Sequence, residues 1–404
     1  VMNVVKEYYD GYLVEKINLE TGKEEWEDLY FTNERYKRRY AQTAEINNGL
    51  LDVIVFTENT KPDHDLWPAW FHGNLNKYGY DTETGIVQFK TNNTPGGLQS
   101  RYINMPETFI FTNSIVLRAY PFGDDFKYNI YQINNTRDGN TNVLMKGVHF
   151  AQNEILIDST ERRFNFPYLF KASRIRDLPD RKILFSINTV SEDNTQFDFS
   201  YLIMNRSLDI LSQINLTSKL DFADVHSLVY CDSSSLVVGS VDQVSYQNTR
   251  VYMPDKLYLF NMDGELINKA DMSGLYHPSQ YHGMASTVIY DDNKPVMLTA
   301  VTYKIDSFLH YDFYKLESNG NLKLIRKLKL DDPDKYLGLI VMMRHKDDLI
   351  CQFSYRDIPN SPPQSRTFVA YAAFPLDDIL VISNEYSISN NRIELSPNPA
   401  SDFV

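Results

Sequence analysis

Only two cysteines stand in the 404 residues, too few for a disulfide framework. Cys231 and Cys351 both fall in apolar runs, HSLVYC and DLICQFSY, and read as buried thiols, not as nucleophiles. Long hydrophobic runs are missing too. The longest are strand-length and broken by charge, so neither a transmembrane segment nor a signal peptide is visible in this sequence. Positive charge is in deficit: 40 Lys and Arg against 53 Asp and Glu leave a formal net charge of −13. That balance argues against a general nucleic-acid-binding surface. The one basic run, RYKRR at 35–39, reads as the exposed start of a strand. GxSxG, P-loop, HExxH and GxGxxG motifs are all absent, and the carboxylates are too numerous for a glycosidase pair to stand out. No cofactor, no resident metal and no catalytic residue is expected.

What is present is aromatic, strand-forming and repetitive. The chain has 28 Tyr and 23 Phe at 43% hydrophobic residues. Segment 256–270, KLYLFNMDGELINKA, is an alternating strand, an Asp263-Gly264 turn and a second strand running back. Asp-Gly and Asn-Gly supply the positive φ that a two-residue hairpin needs. Related hairpins centre on Gly22, Gly85, Gly139, Ser207, Gly320 and Asp377, at steps of 54 to 68 residues. Each unit holds about four strand-length runs without helical periodicity, the pattern of a propeller blade. The expected fold is therefore all-β, a β-propeller of seven blades with four antiparallel strands each, six or eight blades remaining as alternatives. It would occupy 1–391 as one domain whose inner strands are apolar on both faces.

Several features stand out on that frame. Blade 1 has no segment upstream for its first strand, which points to a longer precursor or to closure by the other terminus. The loop at 61–73, KPDHDLWPAWFHG, gathers Asp63, His64, Asp65, Trp67, Trp70 and His72. These residues suit a divalent metal or a sugar ring, although the spacing matches no calcium or zinc pattern and Trp in such a loop also serves as a plug over the core. In blade 3, TFIFTN and SIVLRAYPF read as two strands back to back, and FAQNEILIDSTERRFNFP as an insertion bearing Arg162, Arg163, Phe164 and Phe166. It is either a loop on a binding face or a longer connecting strand. His226 and His282 recur in phase ahead of the innermost strands of blades 5 and 6, with Tyr276, His277 and Tyr281 beside the second. Loops from every blade converge there, so Trp67, Trp70, His72, His226, His282, Tyr281 and Arg163 are the ligand-binding candidates. Asn92, Asn134, Asn205 and Asn215 head glycosylation sequons.

The final segment, 394–404, reads ELSPNPASDFV. Ser396, Pro397, Asn398, Pro399, Ala400 and Ser401 resemble the opening of the C-terminal sorting domain on cargo of the Bacteroidetes type IX secretion system. The body of such a domain, a small β-sandwich, is not in this sequence. Two prolines suit 392–404 to an extended linker. The resemblance implies a secreted or cell-surface protein that passes through the periplasm and an outer-membrane translocon as partner. It implies nothing about activity. The functional expectation is a non-catalytic interaction module for protein or glycan. The alternatives are a secreted carbohydrate-active enzyme using the funnel, and an accessory subunit bound to the translocon.

Overall fold

The computed structural model describes residues 2–8, 11–18, 24–31, 37–47, 50–59, 73–93, 111–122, 125–150, 156–246, 249–291, 293–330, 335–357, 367–376 and 386–388. They form seven sheets in chain order. Blade 1 is β1 (Met2–Tyr8), β2 (Gly11–Ile17) and β3 (Glu24–Phe31). Blade 2 is β4 (Lys37–Asn47), β5 (Leu50–Asn59), β6 (Gly73–Asp81) and β7 (Val87–Asn93). Blade 3 is β8 (Phe111–Phe122), β9 (Asp125–Asn135), β10 (Thr141–Phe150) and β11 (Leu156–Phe166). Blade 4 is β12 (Leu169–Leu178), β13 (Lys182–Val190), β14 (Phe197–Asn205) and β15 (Ile210–Asn215). Blade 5 is β16 (Val225–Cys231), β17 (Ser235–Tyr246), β18 (Thr249–Asn261) and β19 (Leu266–Asp271). Blade 6 is β20 (Tyr281–Asp291), β21 (Lys294–Ile305), β22 (Phe308–Leu316) and β23 (Leu322–Leu330), joined by β27 (Tyr386–Ile388). Blade 7 is β24 (Lys335–His345), β25 (Asp348–Asp357) and β26 (Thr367–Pro375).

The core lies between sheets, not inside any one of them. Ile183, Phe185 and Ile187 of blade 4 pack with Tyr131, Val143 and Met145 of blade 3. Leu184, Phe199 and Tyr201, on blade 4, pack with Leu236, Val238 and Tyr258 of blade 5. Further clusters join blades 5 and 6, blades 6 and 7, and blades 1 and 2. First strands of successive blades adjoin, as β12 does β16 and β16 does β20. Sheets that share their cores face to face in sequence order make a β-propeller. A single blade buries too little apolar surface to stand by itself, so the repeat stabilises only as an array.

Burial within a blade is graded. In blade 4 the middle strands β13 and β14 are buried almost throughout, while β12 and β15 are mostly exposed or half-buried. In blade 6 the first strand opens at both ends, and in blade 5 it is half-buried at most positions. The expectation of inner strands apolar on both faces thus holds for the second and third strands.

The hairpins differ from the expected two-residue turns. Asn261 N–H donates to Glu265 O at 3.0 Å and Gly264 N–H to Asn261 O at 3.1 Å, so three residues make the loop and only the third, Gly264, has positive φ, 77°. This is a type I turn followed by a one-residue bulge at Gly264, and a second irregularity shifts the register at Leu259/Phe260. Blades 4 and 6 repeat it with Asn205 and Asp209, and with Glu317 and Asn321. In blade 4 the left-handed residue is Leu208, φ 64°, next to the expected centre at Ser207.

Blade 3 corrects the repeat itself. β8 is one continuous strand across TFIFTN and SIVLRAYPF from Phe111 onward, so the Gly139 turn joins the second and third strands. The supposed insertion holds β11, the outermost strand. The Gly22 turn and the Asp377 turn lie outside the described residues.

A further regularity binds neighbours. Trp26 Nε1–H in blade 1 donates to Thr82 O at 3.2 Å in the blade 2 turn. Asn129 Nδ2–H in blade 3 donates to Arg206 O at 3.2 Å in the blade 4 turn. Tyr201 Oη–H in blade 4 donates to Met262 O at 3.0 Å in the blade 5 turn. Asn268 Nδ2–H in blade 5 donates to Glu317 O at 2.7 Å in the blade 6 turn. Each turn presents a carbonyl to a donor of the preceding blade; in blade 6 that carbonyl, Glu317 O, also accepts Gly320 N–H of its own hairpin at 2.9 Å.

Candidate functional site

The candidate site lies at the end of blades 4 to 6 where first and third strands begin. The blade-to-blade connections 216–224 and 272–280 and the second-to-third-strand turns meet at this end. Three aspartates fix it, each on a third strand, eight to ten residues ahead of the left-handed turn residue: Asp198, Asp255 and Asp312. Asp198 accepts from Asn215 Nδ2 at 2.5 Å, Thr217 Oγ1 at 3.2 Å and Ser200 Oγ at 2.9 Å. Asp255 accepts from Ser240 Oγ at 3.2 Å, while its backbone carbonyl takes Met272 N–H at 2.7 Å. Asp312 is buried and accepts from three phenols: Tyr303 at 3.0 Å, Tyr276 at 3.0 Å and Tyr314 at 3.3 Å. Burial and then the bond to Tyr314 hold the Tyr276 phenol far above its usual range. Tyr314 is pushed up to about 12, chiefly by burial. The chain therefore pins its connections by carboxylates that accept hydroxyl and side-chain amide donors.

A second group surrounds the 216–224 connection. Asp221 Oδ2 lies 3.1 Å from Lys256 Nζ, 3.5 Å from Lys269 Nζ and 3.2 Å from Tyr258 Oη. The hydrogen bond from Lys256 is the main reason its carboxyl sits low. Asp224 Oδ2 accepts Gln243 N–H at 2.6 Å, and Asp224 N–H donates to Asp242 Oδ1 at 3.3 Å. Asp242 alone among the described carboxylates is raised, by burial first and then, against an opposing Asp224 N–H bond, by the charges of Asp255 and Asp224. Exposed apolar side chains belong to the same end: Phe222 at 46%, Tyr252 at 51% and Leu275 at 41%. Among the described residues no three His, Cys, Asp or Glu side chains group to hold a metal ion.

The in-phase histidines part ways here. Each is the second residue of a first strand, β16 or β20. His226 is fully buried and stacked on Phe197 at 4.6 Å, with its N–H donating to Asn188 Oδ1 at 2.9 Å. Its Nε2 lies 3.0 Å from Asp221 O, which fixes the proton on that nitrogen, and Nδ1 has no hydrogen-bond partner. Burial pushes its pKa down to about 4. The ring is neutral and holds the connection. His282 is exposed, because β20 bulges between Tyr281 and Gly283 and turns that residue away. Burial of its ring nitrogens, then Lys304, lowers its pKa. Tyr281 is half-buried and pushed up to about 12 by burial.

The other sequence candidates are not gathered here. Arg163 sits on outermost strand β11, paired with Glu161 at 2.8 Å, and Arg162 reaches Asp209 of the blade 4 turn at 3.3 Å. Phe166 is buried and Phe164 packs beside it between blades 3 and 4. Trp67, Trp70, His72 and the sorting motif Pro397, Asn398 and Pro399 lie outside the described residues. Cys231 ends β16 and Cys351 lies in β25, with both thiols free and raised by burial, Cys231 to about 12. Asn134 is fully buried, the Asn205 amide donates to Asp209 of its own turn, and the Asn215 amide donates to Ser200 and Asp198 of β14. The Asp198, Asp255 and Asp312 set was missed by sequence reading, although aligning the blades on their turns brings the three into near register.

No family model and no curated protein matches this chain. Among solved structures, it is similar to Pyrococcus horikoshii acylaminoacyl peptidase at 11% identity and TM-score 0.35, covering 87% of this chain and 47% of that one. The chain thus spans about half the length of that peptidase. Penicillium chrysogenum alpha-L-arabinanase complexed with arabinobiose is 11% identical with TM-score 0.34, covering 85% of this chain and 94% of that one. A Synechocystis apocarotenoid oxygenase is 10% identical with TM-score 0.33, covering 85% and 87%. Overlaps this loose carry no functional argument; the fold assignment rests on the sheets described above.

Proposed function

We propose that this chain is a seven-bladed interaction module, exported and displayed at the cell surface or secreted, which binds protein or glycan across the connection-bearing end of blades 4 to 6. The observation that carries the reading is how the polar groups at that end are used. Asp198, Asp255, Asp312 and Asp221 each accept structural hydrogen bonds or ion pairs, and His226 is buried neutral. Locked connections flanked by exposed Phe222, Tyr252 and Leu275 make a pre-organised surface, which lowers the entropic cost of binding. Aromatic side chains are the usual anchors of such surfaces. The test is capture of ligands from native envelope and from a glycan panel by the full chain, compared with a Phe222→Ala/Tyr252→Ala variant. Loss of capture by a variant of unchanged stability supports the surface; equal capture removes it.

Asp242 favours a second reading, a secreted carbohydrate-active enzyme. A carboxyl raised by burial and by neighbouring carboxylates is what a general acid needs near neutral pH. Glycan turnover that Asp242→Asn abolishes would replace the binding reading with this one. The export route rests on the resemblance of residues 396–401 to a type IX sorting segment. Replacing Pro397, Asn398 and Pro399 by alanine in the native host should leave the protein in the periplasm. Co-purification of outer-membrane translocon proteins in fixed ratio would instead make the propeller a subunit of that machinery.

A further inference from the structure

The last described strand does not extend the blade that precedes it. β26 ends blade 7 at Pro375, yet β27 pairs in parallel with β23, the outermost strand of blade 6: Tyr386 with Leu328, Ser387 with Lys329 and Ile388 with Leu330. We propose that the outer edge of blade 6 is a strand-acceptor site, held in cis by β27, and that β27 of a second copy takes the same place in trans.

The acceptor is rigid and larger than its resident. β23 is paired along its inner side with β22, from Lys329 opposite His310 to Leu322 opposite Leu316. Ile325 and Leu328 are buried in the core between blades 6 and 7, and Lys329 Nζ lies 4.1 Å over the Phe308 ring. The Arg326 guanidinium lies 5.9 Å from the Phe374 ring of blade 7. Along nine residues of β23 the three of β27 cover only the final part, and Leu324 near the start is 37% exposed. Among the described residues nothing else pairs with that outer edge.

Main-chain hydrogen bonds supply the recognition in strand addition, so the site accepts an extended segment in the right direction and does not depend on one side chain. A segment identical to the resident satisfies it by construction, which makes a second copy the occupant. Three ladder pairs hold β27 weakly, and ten residues separate it from Pro375. A tether of that length keeps the resident strand at an effective concentration on the order of millimolar. Exchange between copies should therefore emerge only as the protein approaches the same concentration, as it does when crowded on a surface.

The test uses full chains carrying Leu330→Cys in one and Ile388→Cys in the other, at opposed register positions, with oxidised glutathione as oxidant. A disulfide between these two chains forms only in trans. The expected result is a covalent heterodimer that is negligible at about 10 µM and reaches about half of the protein at about 1 mM. Ser387→Pro at the centre of the three-residue donor strand, where proline disfavours pairing, should suppress it. The single chain carrying both cysteines should cross-link in cis at every concentration. Cis cross-linking without heterodimer at about 1 mM overturns the exchange. No cross-link in either format overturns the docking of β27 itself, and heterodimer that survives Ser387→Pro shows a contact of another kind.

Discussion

The junction between blades 3 and 4 and the junction between blades 4 and 5 solve one problem in opposite ways. At both, a three-residue turn of the later blade abuts the earlier blade and presents a main-chain carbonyl, Arg206 O or Met262 O, to a side-chain donor. At the first junction the left-handed turn residue is Leu208, fully buried, whose side chain lies against Gly147 of β10. At the second it is Gly264, where an added Cβ would fall 2.6 Å from Ile214 Cγ2 and 3.0 Å from Leu216 Cδ2. One interface puts bulk on the turn and a glycine on the facing strand; the other does the reverse. The geometry of the gap is common to both, and the side that fills it is free to change.

Exchanging the two solutions should break the second junction hardest. Gly264→Leu combines left-handed strain of about 1–2 kcal/mol with overpacking of about 1–3 kcal/mol, so a loss of about 3–4 kcal/mol in urea unfolding is expected. A loss below about 1 kcal/mol would mean that Ile214 and Leu216 yield easily.

Acid should separate the junctions next. His226 belongs to the blade 4 to 5 junction and is depressed from 6.5 to about 4. Its unfolded form binds a proton that the folded form refuses, so its contribution is complete above pH 6.5 and fades as pH falls through about 4. The maximum is about 3 kcal/mol, read as the pH-dependent stability difference between wild type and His226→Phe. Arg206 at the other junction, lowered by burial to about 10, keeps its charge across that range. Hydrogen exchange should accordingly rise in β16 before β10 on acidification; simultaneous opening would refute the assignment.

Leu208→Gly should cost less, about 2 kcal/mol, because the lost burial is partly offset by relief of the left-handed leucine. Smallest is Tyr201→Phe, about 1 kcal/mol for the bond to Met262 O. A cost near zero there would show that the turn carbonyl finds another donor.

What the sequence made legible follows the same division. Gly85, Gly264 and Gly320 marked their hairpins correctly because only glycine enters the left-handed region without strain. Leu208 was invisible, since a leucine in that conformation reveals itself only through what it buries. Blade 3 misled because TFIFTN and SIVLRAYPF look like two strands to a local reading, whereas the ladder with β9 runs across both with a register shift at Thr112/Ser114. His226 and His282 were rightly placed in phase, but a bulge at Tyr281/Gly283, which no residue pattern announces, gave them opposite environments. Asp198, Asp255 and Asp312 were there to be found and were obscured by the many carboxylates around them.

Trp, Asn, Tyr and Asn serve as the four donors that reach across to the neighbouring turn, and the acceptor is always a peptide oxygen. No substitution can delete that oxygen, and any side chain of suitable reach with an N–H or O–H to donate can replace another. Selection on this joint therefore acts on reach and chemistry, not on identity. Units tied this way can drift until they share almost no letters with one another while each still fits its neighbour.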